Sequence, residues 1–179
     1  MFLHKIDDEL SLKLIDLSDA EPIFKLTETS RPYLREWLPW PDETKTVGDS
    51  RGFILEAQRG YSENRNLTTV VLFRGKIIGV IAFNTLDWTN KKTDIGYWLG
   101  ENFQGHGLMT RAARALTDYG FRGLGLHRVE IRAATGNRKS RAIPERLGFR
   151  QEGCLREAEW IHNHYVDHVV YSMLEQEWK

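Results

Sequence analysis

The stretch Phe103-Gln104-Gly105-His106-Gly107-Leu108-Met109-Thr110 constrains this chain more than any other. It follows a short apolar run, Ile95-Gly96-Tyr97-Trp98-Leu99, that reads as a strand, and it opens a segment of helical period. In that segment Ala112, Ala113, Leu116, Tyr119, Gly120 and Leu124 recur on one side, while Arg111, Arg114, Asp118 and Arg122 fall elsewhere. A glycine-rich turn between strand and helix lets the backbone approach a ligand closely. It also aims the unpaired N–H groups of the first helical turn at an anion, and the helix dipole adds to the attraction. The expected guest is a phosphate or pyrophosphate. A turn of this kind can also serve packing alone.

A second segment sharpens the reading. Asn137-Arg138-Lys139-Ser140 leads into a short helix, and Gly148-Phe149 returns the chain to strand, giving the pattern N-x-x-S-x-x-x-x-E-x-x-G-F through Asn137, Ser140, Glu145, Gly148 and Phe149. Together the two segments resemble motifs A and B of the Gcn5-related N-acetyltransferases, the GNAT superfamily. That family's Q/R-x-x-G-x-G/A signature maps onto Gln104, Gly107 and Met109, and Met109 stands where Gly or Ala is usual. The departure is itself a feature of the RimJ/RimL-like branch, which modifies the N-termini of ribosomal proteins. The resemblance runs from Leu10 to about Trp178 and includes Tyr33-Leu34-Arg35-Glu36-Trp37-Leu38 and Ile95-Gly96-Tyr97-Trp98.

Residues 10–17 alternate apolar with polar and read as a first strand, followed by a helix capped by Ser18 or Asp19, with Pro22 in its first turn and an end at Arg31-Pro32. Residues 49–61 form a second helix. Strands follow at 67–73 and 77–83 around the turn Arg74-Gly75-Lys76, and at 93–99 before the glycine turn and the long helix. A strand at 127–134, a short helix at 140–147 and strands at 149–158 and 165–174 complete the chain, with Asn163-His164 as the last turn. This order predicts an α/β fold with a sheet of mixed direction. The resemblance implies one GNAT domain over residues 1–179: a mostly antiparallel sheet of about seven strands and about four helices. In that fold the fourth and fifth strands, here 93–99 and 127–134, splay apart to admit the pantetheine arm of acetyl-CoA.

The resemblance also implies a set of site residues. Acetyl-CoA would be held by Trp98, Leu99, Gln104, Gly105, His106, Gly107, Leu108, Met109, Thr110, Asn137, Ser140 and Arg141. Asn137 would bond the pantetheine amide, and a backbone N–H near Leu99 would polarise the thioester carbonyl. The cations of Asn137-Arg138-Lys139-Ser140-Arg141 would face the phosphates, although the same cluster reads equally as a solvated helix start. His106 holds a variable position of the motif and is expected to face solvent. Glu159 would be the base and Ser140 the acid that protonates the departing sulfur; Ser140 serves equally well as a helix N-cap. Glu157, two residues away and so on the same strand face, has the same chemistry as Glu159. Trp37 and Trp40 can be core or can line an acceptor cleft with Glu157 and Trp160. Pro144 removes one helical hydrogen bond and crowds the Ser140 carbonyl, which predicts a distorted helix start.

Acetyl transfer to an amine needs the amine neutral. An α-amine, with a reference pKa of about 7.7–8.0, is roughly 10–20% neutral at pH 7, and a lysine, near 10.4, far less. A modest base therefore suffices for N-termini. The expected activity is acetyl-CoA-dependent acetylation of an α-amine of a protein or peptide, in the branch a ribosomal one, by direct attack in a ternary complex. A small-molecule amine (a polyamine, an aminoglycoside or an aminoacyl-nucleotide) or a non-catalytic CoA sensor are the alternatives.

Composition excludes other classes. The 25 Lys and Arg balance 25 Asp and Glu, so no basic excess draws the chain to nucleic acid. No apolar run is long enough to span a bilayer, and Met1 to Asp8 lack a signal peptide's apolar core. The single Cys154, expected to be buried, cannot form an internal disulfide and suits a reducing cytoplasm. His162, His164 and His168 with Asp167 are the only pattern suggesting a metal, and the chemistry needs none. Edge strands, with Trp37 and Trp40 taken as exposed aromatics, make a homodimer an expectation.

Overall fold

The computed structural model describes residues 3–179; Met1 and Phe2, part of the N-terminal stretch read above, lie outside the described residues. Eight strands form one sheet: β1 (Leu3–Lys5), β2 (Leu10–Leu14), β3 (Leu67–Phe73), β4 (Lys76–Asp87), β5 (Lys92–Leu99), β6 (Arg128–Ala134), β7 (Arg150–Ile161) and β8 (His164–Leu174). Their order is β1-β2-β3-β4-β5-β6-β8-β7, and only the β5–β6 neighbours run parallel. The strand beyond the expected seven is β1, whose three residues are too few to show alternation. Four α-helices accompany the sheet: α1 (Ala20–Leu34), α2 (Val47–Ser62), α3 (Leu108–Asp118) and α4 (Arg138–Arg146).

Strand periodicity sorts the core into two layers. Val71, Ile81 and Ile95 join Leu108, Met109, Ala112, Ala113 and Leu116 of α3 and Ile143 of α4 in one buried cluster. Their neighbours Val70 and Val80 join Ile23 of α1 and Ile54 and Ala57 of α2 in another. The helices therefore cover both faces, and the ends of α1, α3 and α4 converge on the C-terminal end of β5.

Several local readings are corrected. β2 stops at Leu14; Asp19 is the N-cap residue of α1 as read but makes no side-chain cap bond, and the capping box belongs to the short turn before it, with Asp16 as its cap. Asp16 accepts from the Ser18 amide at 2.8 Å, Asp19 accepts from the Asp16 amide at 2.9 Å, and Lys13 Nζ reaches both carboxylates at 2.7 Å. α1 continues through Pro32 to Leu34, because burial of Leu34 and the Arg31 guanidinium, which binds the carbonyls of Pro41 and Thr44, hold the last turn. The last hairpin turns at His162 and Asn163, with the positive φ of 56° on His162. Cys154 is exposed on β7 rather than buried. Trp37 and Trp40 are half-buried, so they are not exposed aromatics.

Arg128 ties the three last strands of the sheet together. Its guanidinium donates to both oxygens of Glu152 at 2.7 and 2.8 Å and to Glu130 at 3.0 Å, and Ser172 of β8 donates to Glu152 from between them. The Arg128 guanidinium, then the Ser172 hydroxyl, hold the Glu152 carboxyl down at about 2. A carboxyl lowered in the folded state stabilises it above the unfolded value of about 4.3 and loses that effect as pH falls toward the folded value. Glu152→Gln is therefore expected to lower the melting temperature at neutral pH. Calorimetry across a pH series should show that deficit shrinking between about pH 4.3 and 2. A deficit independent of pH would contradict the role given to the ion pair.

Candidate active site

The site begins where β5 and β6 part. Their parallel ladder runs from Lys92↔Arg128 to Ile95↔Ile131 and stops. Beyond it β5 keeps its outer neighbour β4, from Gly96↔Ala82 to Leu99↔Gly79. β6 likewise keeps β8, from Arg132↔Val170 to Ala134↔His168. Residues 96–99 are thus left with a backbone edge facing a gap, the splay that the resemblance implied. Gly79 permits β4 to stay close to β5 there, since a Cβ would meet the Trp98 carbonyl oxygen at 2.3 Å.

The glycine turn stands at the mouth of the gap. Gly105 and Gly107 have φ of 81° and 70°, and no atom lies within 4 Å of where a Cβ on either would stand. Their backbone conformation, not crowding, demands glycine. Gly107 is the N-cap of α3, and Arg111 is the first residue to bond back, to the Gly107 carbonyl at 3.1 Å. Helix geometry then directs the amides of Leu108, Met109 and Thr110 outward. Gln104 Nε2 donates to the Leu99 carbonyl at 3.2 Å and pins the turn to the end of β5. A cavity of about 600 Å³ lies along this turn, lined by Gln104, Gly105, Gly107 and Thr110 together with Lys139 and Arg146. Arg111 also borders it, ion-paired with Asp7. His106 is exposed and lies outside the lining, as read from the motif.

A second cavity continues from the first, sharing Leu99, Gln104, Met109, Lys139 and Ile143 with it and adding Tyr97, Trp98, Asn137 and Ser140. Asn137, not Ser140, caps α4: its side-chain oxygen accepts from the Ser140 amide at 3.2 Å. Ser140 is thereby placed in the first turn. α4 runs unbroken through Pro144, so the distorted start is not found. The physical reason lies in β5. The Ser140 carbonyl, deprived of an N–H at Pro144, accepts instead from the Tyr97 hydroxyl at 2.7 Å, and the Ser140 hydroxyl lies 3.3 Å from the same Tyr97 oxygen. Burial pushes the Tyr97 phenol up. Arg141 turns away from the cavities: it donates to the Tyr171 hydroxyl and the Thr135 carbonyl, each at 2.9 Å. Lys139, Nζ 5.2 Å from the centre of the Tyr33 ring, is the cation of this cluster that lines both cavities.

No residue of the β7–β8 hairpin lines these cavities, but its tip touches the end of α1. His162 Nε2 meets the Arg35 carbonyl at 2.7 Å, docking the hairpin tip on the end of α1. The period of two that would place Glu159 and Glu157 on one face is interrupted here. The ladder slips between Leu155 and Glu159, Glu157 has φ of 48°, and its amide donates to Asp167 at 2.7 Å. A bulge at this point breaks the period of two. Glu159 instead turns to His168, Oε1 to Nε2 3.4 Å, both partly shielded from solvent. Trp160 is exposed and stacks edge-on to Tyr165 at 4.8 Å. The three histidines are drawn apart, and no group of metal-ligating side chains occurs among the described residues.

A third cavity of about 310 Å³ lies on the α1–α2 side of β5 and adjoins the second through Leu38, Tyr97 and Trp98. Trp40, Phe53 and Trp98 line it, with Thr27, Ser50 and Asn84 among its polar groups. The Trp40 and Trp98 rings lie 5.5 Å apart. Trp37 belongs instead to the second cavity, packed so closely on Gly136 that a Cβ there would meet it at 2.8 Å.

The sequence reading gave Tyr97 no role of its own, did not separate Lys139 from Arg141, and considered His168 only as a metal ligand. A proline four residues after Ser140 was the available signal for Tyr97, because a carbonyl freed inside a helix needs a donor from elsewhere.

Comparison with known proteins agrees with this architecture. The profile of the acetyltransferase (GNAT) domain matches residues 9–150. YdaF of Bacillus subtilis (strain 168) is 36% identical over 180 residues, spanning 100% of this chain and 98% of the relative. The microcin C7 self immunity acetyltransferase MccE, solved with acetyl-CoA and AMP, superposes with a TM-score of 0.91 at 33% identity, over 95% of this chain and 94% of that one. The ribosomal L7/L12 alpha-N-protein acetyltransferase RimL, solved with coenzyme A, gives a TM-score of 0.93 at 26% identity, over 97% and 98%. The chain belongs to the GNAT acetyltransferase family, and is an N-acetyltransferase that takes its acetyl group from acetyl-CoA.

Proposed function

We propose that this enzyme acetylates the α-amino group of a polypeptide, with acetyl-CoA lying in the groove between β5 and β6 and the acceptor entering from the α1–α2 side. The observation that carries the proposal is the junction at Tyr97 and Trp98. There the groove that begins at the glycine turn meets the third cavity, so donor and acceptor can be present together. That geometry suits direct attack in a ternary complex.

In this reading the diphosphate rests on the amides of Gly105 to Thr110, beside Lys139 and Arg146. The open edge of β5 carries the pantetheine arm toward Ser140. The neutral amine attacks the thioester carbon, its proton passes to the Glu159 carboxylate directly or through water, and the C–S bond breaks as Ser140 gives its hydroxyl proton to the sulfur. Glu159 is preferred to Glu157 because it pairs with His168, whereas Glu157 lies in the bulge with its amide bonded to Asp167. The likeness to RimL supports an N-terminal acceptor, which a ribosomal protein would provide.

The aromatic lining of the third cavity favours a second reading, in which the acceptor is a small amine carrying a flat group, such as an aminoacyl-nucleotide. Trp40, Phe53 and Trp98 would hold that group, and MccE, solved with AMP, is the relevant relative. Thiol release from acetyl-CoA with Ser- or Ala-initiated peptides, set against aminoacyl-nucleotide analogues, separates the two.

Gly107→Ala places a side chain at φ 70°, a strain of about 1–2 kcal/mol, and is expected to weaken CoA binding at least about tenfold in titration calorimetry. Unchanged affinity would remove the diphosphate from this turn. Glu159→Gln is expected to lower kcat about 10²-fold in steady-state assays. Full turnover from about pH 6 to 9 would remove Glu159 as the base.

A further inference from the structure

We propose that Tyr97 is a positioning residue that holds the Ser140 hydroxyl ready to face the departing sulfur. The inference rests on the reading of Ser140 given above. It gives a role to Tyr97, which the resemblance carried only as part of the Ile95-Gly96-Tyr97-Trp98 strand, and it gives Pro144 a part in the site.

The argument is one of hydrogen counting. A tyrosine hydroxyl has one hydrogen and two lone pairs. Tyr97 spends its hydrogen on the Ser140 carbonyl at 2.7 Å, so toward the Ser140 hydroxyl, 3.3 Å away, it can only accept. The Ser140 hydroxyl accordingly donates to Tyr97. Without that acceptor, the Ser140 hydroxyl, in the first turn of α4, would be left to nearby backbone carbonyls or to solvent. Tyr97 offers a rival partner at the right place. A contact of 3.3 Å is long for an O–H···O bond, and so easily exchanged for a bond to a thiolate.

Pro144 is what makes the arrangement directional. With an ordinary residue at 144, its N–H would satisfy the Ser140 carbonyl, and Tyr97 would be free to donate to the Ser140 oxygen instead. Proline has no such N–H, so the carbonyl claims the Tyr97 hydrogen and leaves only lone pairs for Ser140. The phenol of Tyr97 is locked onto a carbonyl that cannot pass on a proton, so it is not itself the acid. The hydrogen that reaches sulfur is the one on Ser140, which rotates about its Cβ–Oγ bond to deliver it. Ser140 then recovers a proton from solvent.

Five variants test this: Tyr97→Phe, Ser140→Ala, the two combined, and each Tyr97 form with Pro144→Ala. Tyr97→Phe is expected to lower kcat about tenfold with the KM for acetyl-CoA within about twofold, the signature of an interaction used in the transition state. Added to Ser140→Ala it should cost no further kcat, because it acts through that hydroxyl. Its melting temperature should also fall, since the Ser140 carbonyl loses its donor, and Pro144→Ala should remove most of that fall by supplying an N–H while leaving the kcat loss in place. Wild-type kcat in Tyr97→Phe overturns the proposal, as does a loss that multiplies with that of Ser140→Ala. Rescue of kcat by Pro144→Ala also overturns it, for then Tyr97 would only hold the helix. Wild-type kcat in Ser140→Ala would instead remove the acid assignment, and this proposal with it.

Discussion

Everything in this molecule that bears on chemistry follows from the loss of one hydrogen-bonded ladder. β5 and β6 pair for four residues and then separate, each held by the neighbour on its far side. An unpaired backbone edge inside a protein is costly unless something bonds to it. Here the edge opens onto a groove, and the groove runs to a turn whose own amides also point outward. A ligand with a chain of amides at one end and phosphates at the other satisfies both sets of groups.

The helices are arranged around that gap. α3 starts beside it because Gly105 and Gly107 reverse the chain in the left-handed region, and its apolar stripe is buried against the sheet. α4 starts on the opposite bank, capped by Asn137, and carries Ser140 in its first turn. The end of α1 and the tip of the β7–β8 hairpin meet through His162 and the Arg35 carbonyl. Four segments remote in sequence are thus fixed around one point, and the sheet between them stays rigid through contacts such as Arg128 with Glu152.

Much of this was legible in the sequence, and the failures share a cause. The glycine turn, the strand before it and the 3.6-residue stripe after it are local patterns, and the structure has all three where the sequence places them. The element order, with the two matching motifs, gave the family. What failed depended on contacts between distant segments. Nothing local says that Pro32 can lie inside a helix; the burial of Leu34 and the bonds made by Arg31 decide it. Nothing local separates Lys139 from Arg141, since both are cations on one short helix, yet Tyr171 and the Thr135 carbonyl draw only the latter away. The bulge that parts Glu157 from Glu159 breaks the strand period on which their equivalence was argued. Ser140 and Asn137 exchanged the role of cap because asparagine at 137 reaches the amide that opens the helix.

The central claim is that main-chain amides of the glycine turn receive the diphosphate of CoA. Amide nitrogen and proton shifts followed by NMR during a CoA titration test it most directly. The account predicts that the amides of Gly105, Gly107, Leu108, Met109 and Thr110 move most, with those of residues 96–99 next as the pantetheine arm pairs with β5. Shifts confined to other parts of the chain, with these amides unmoved at saturation, would contradict it.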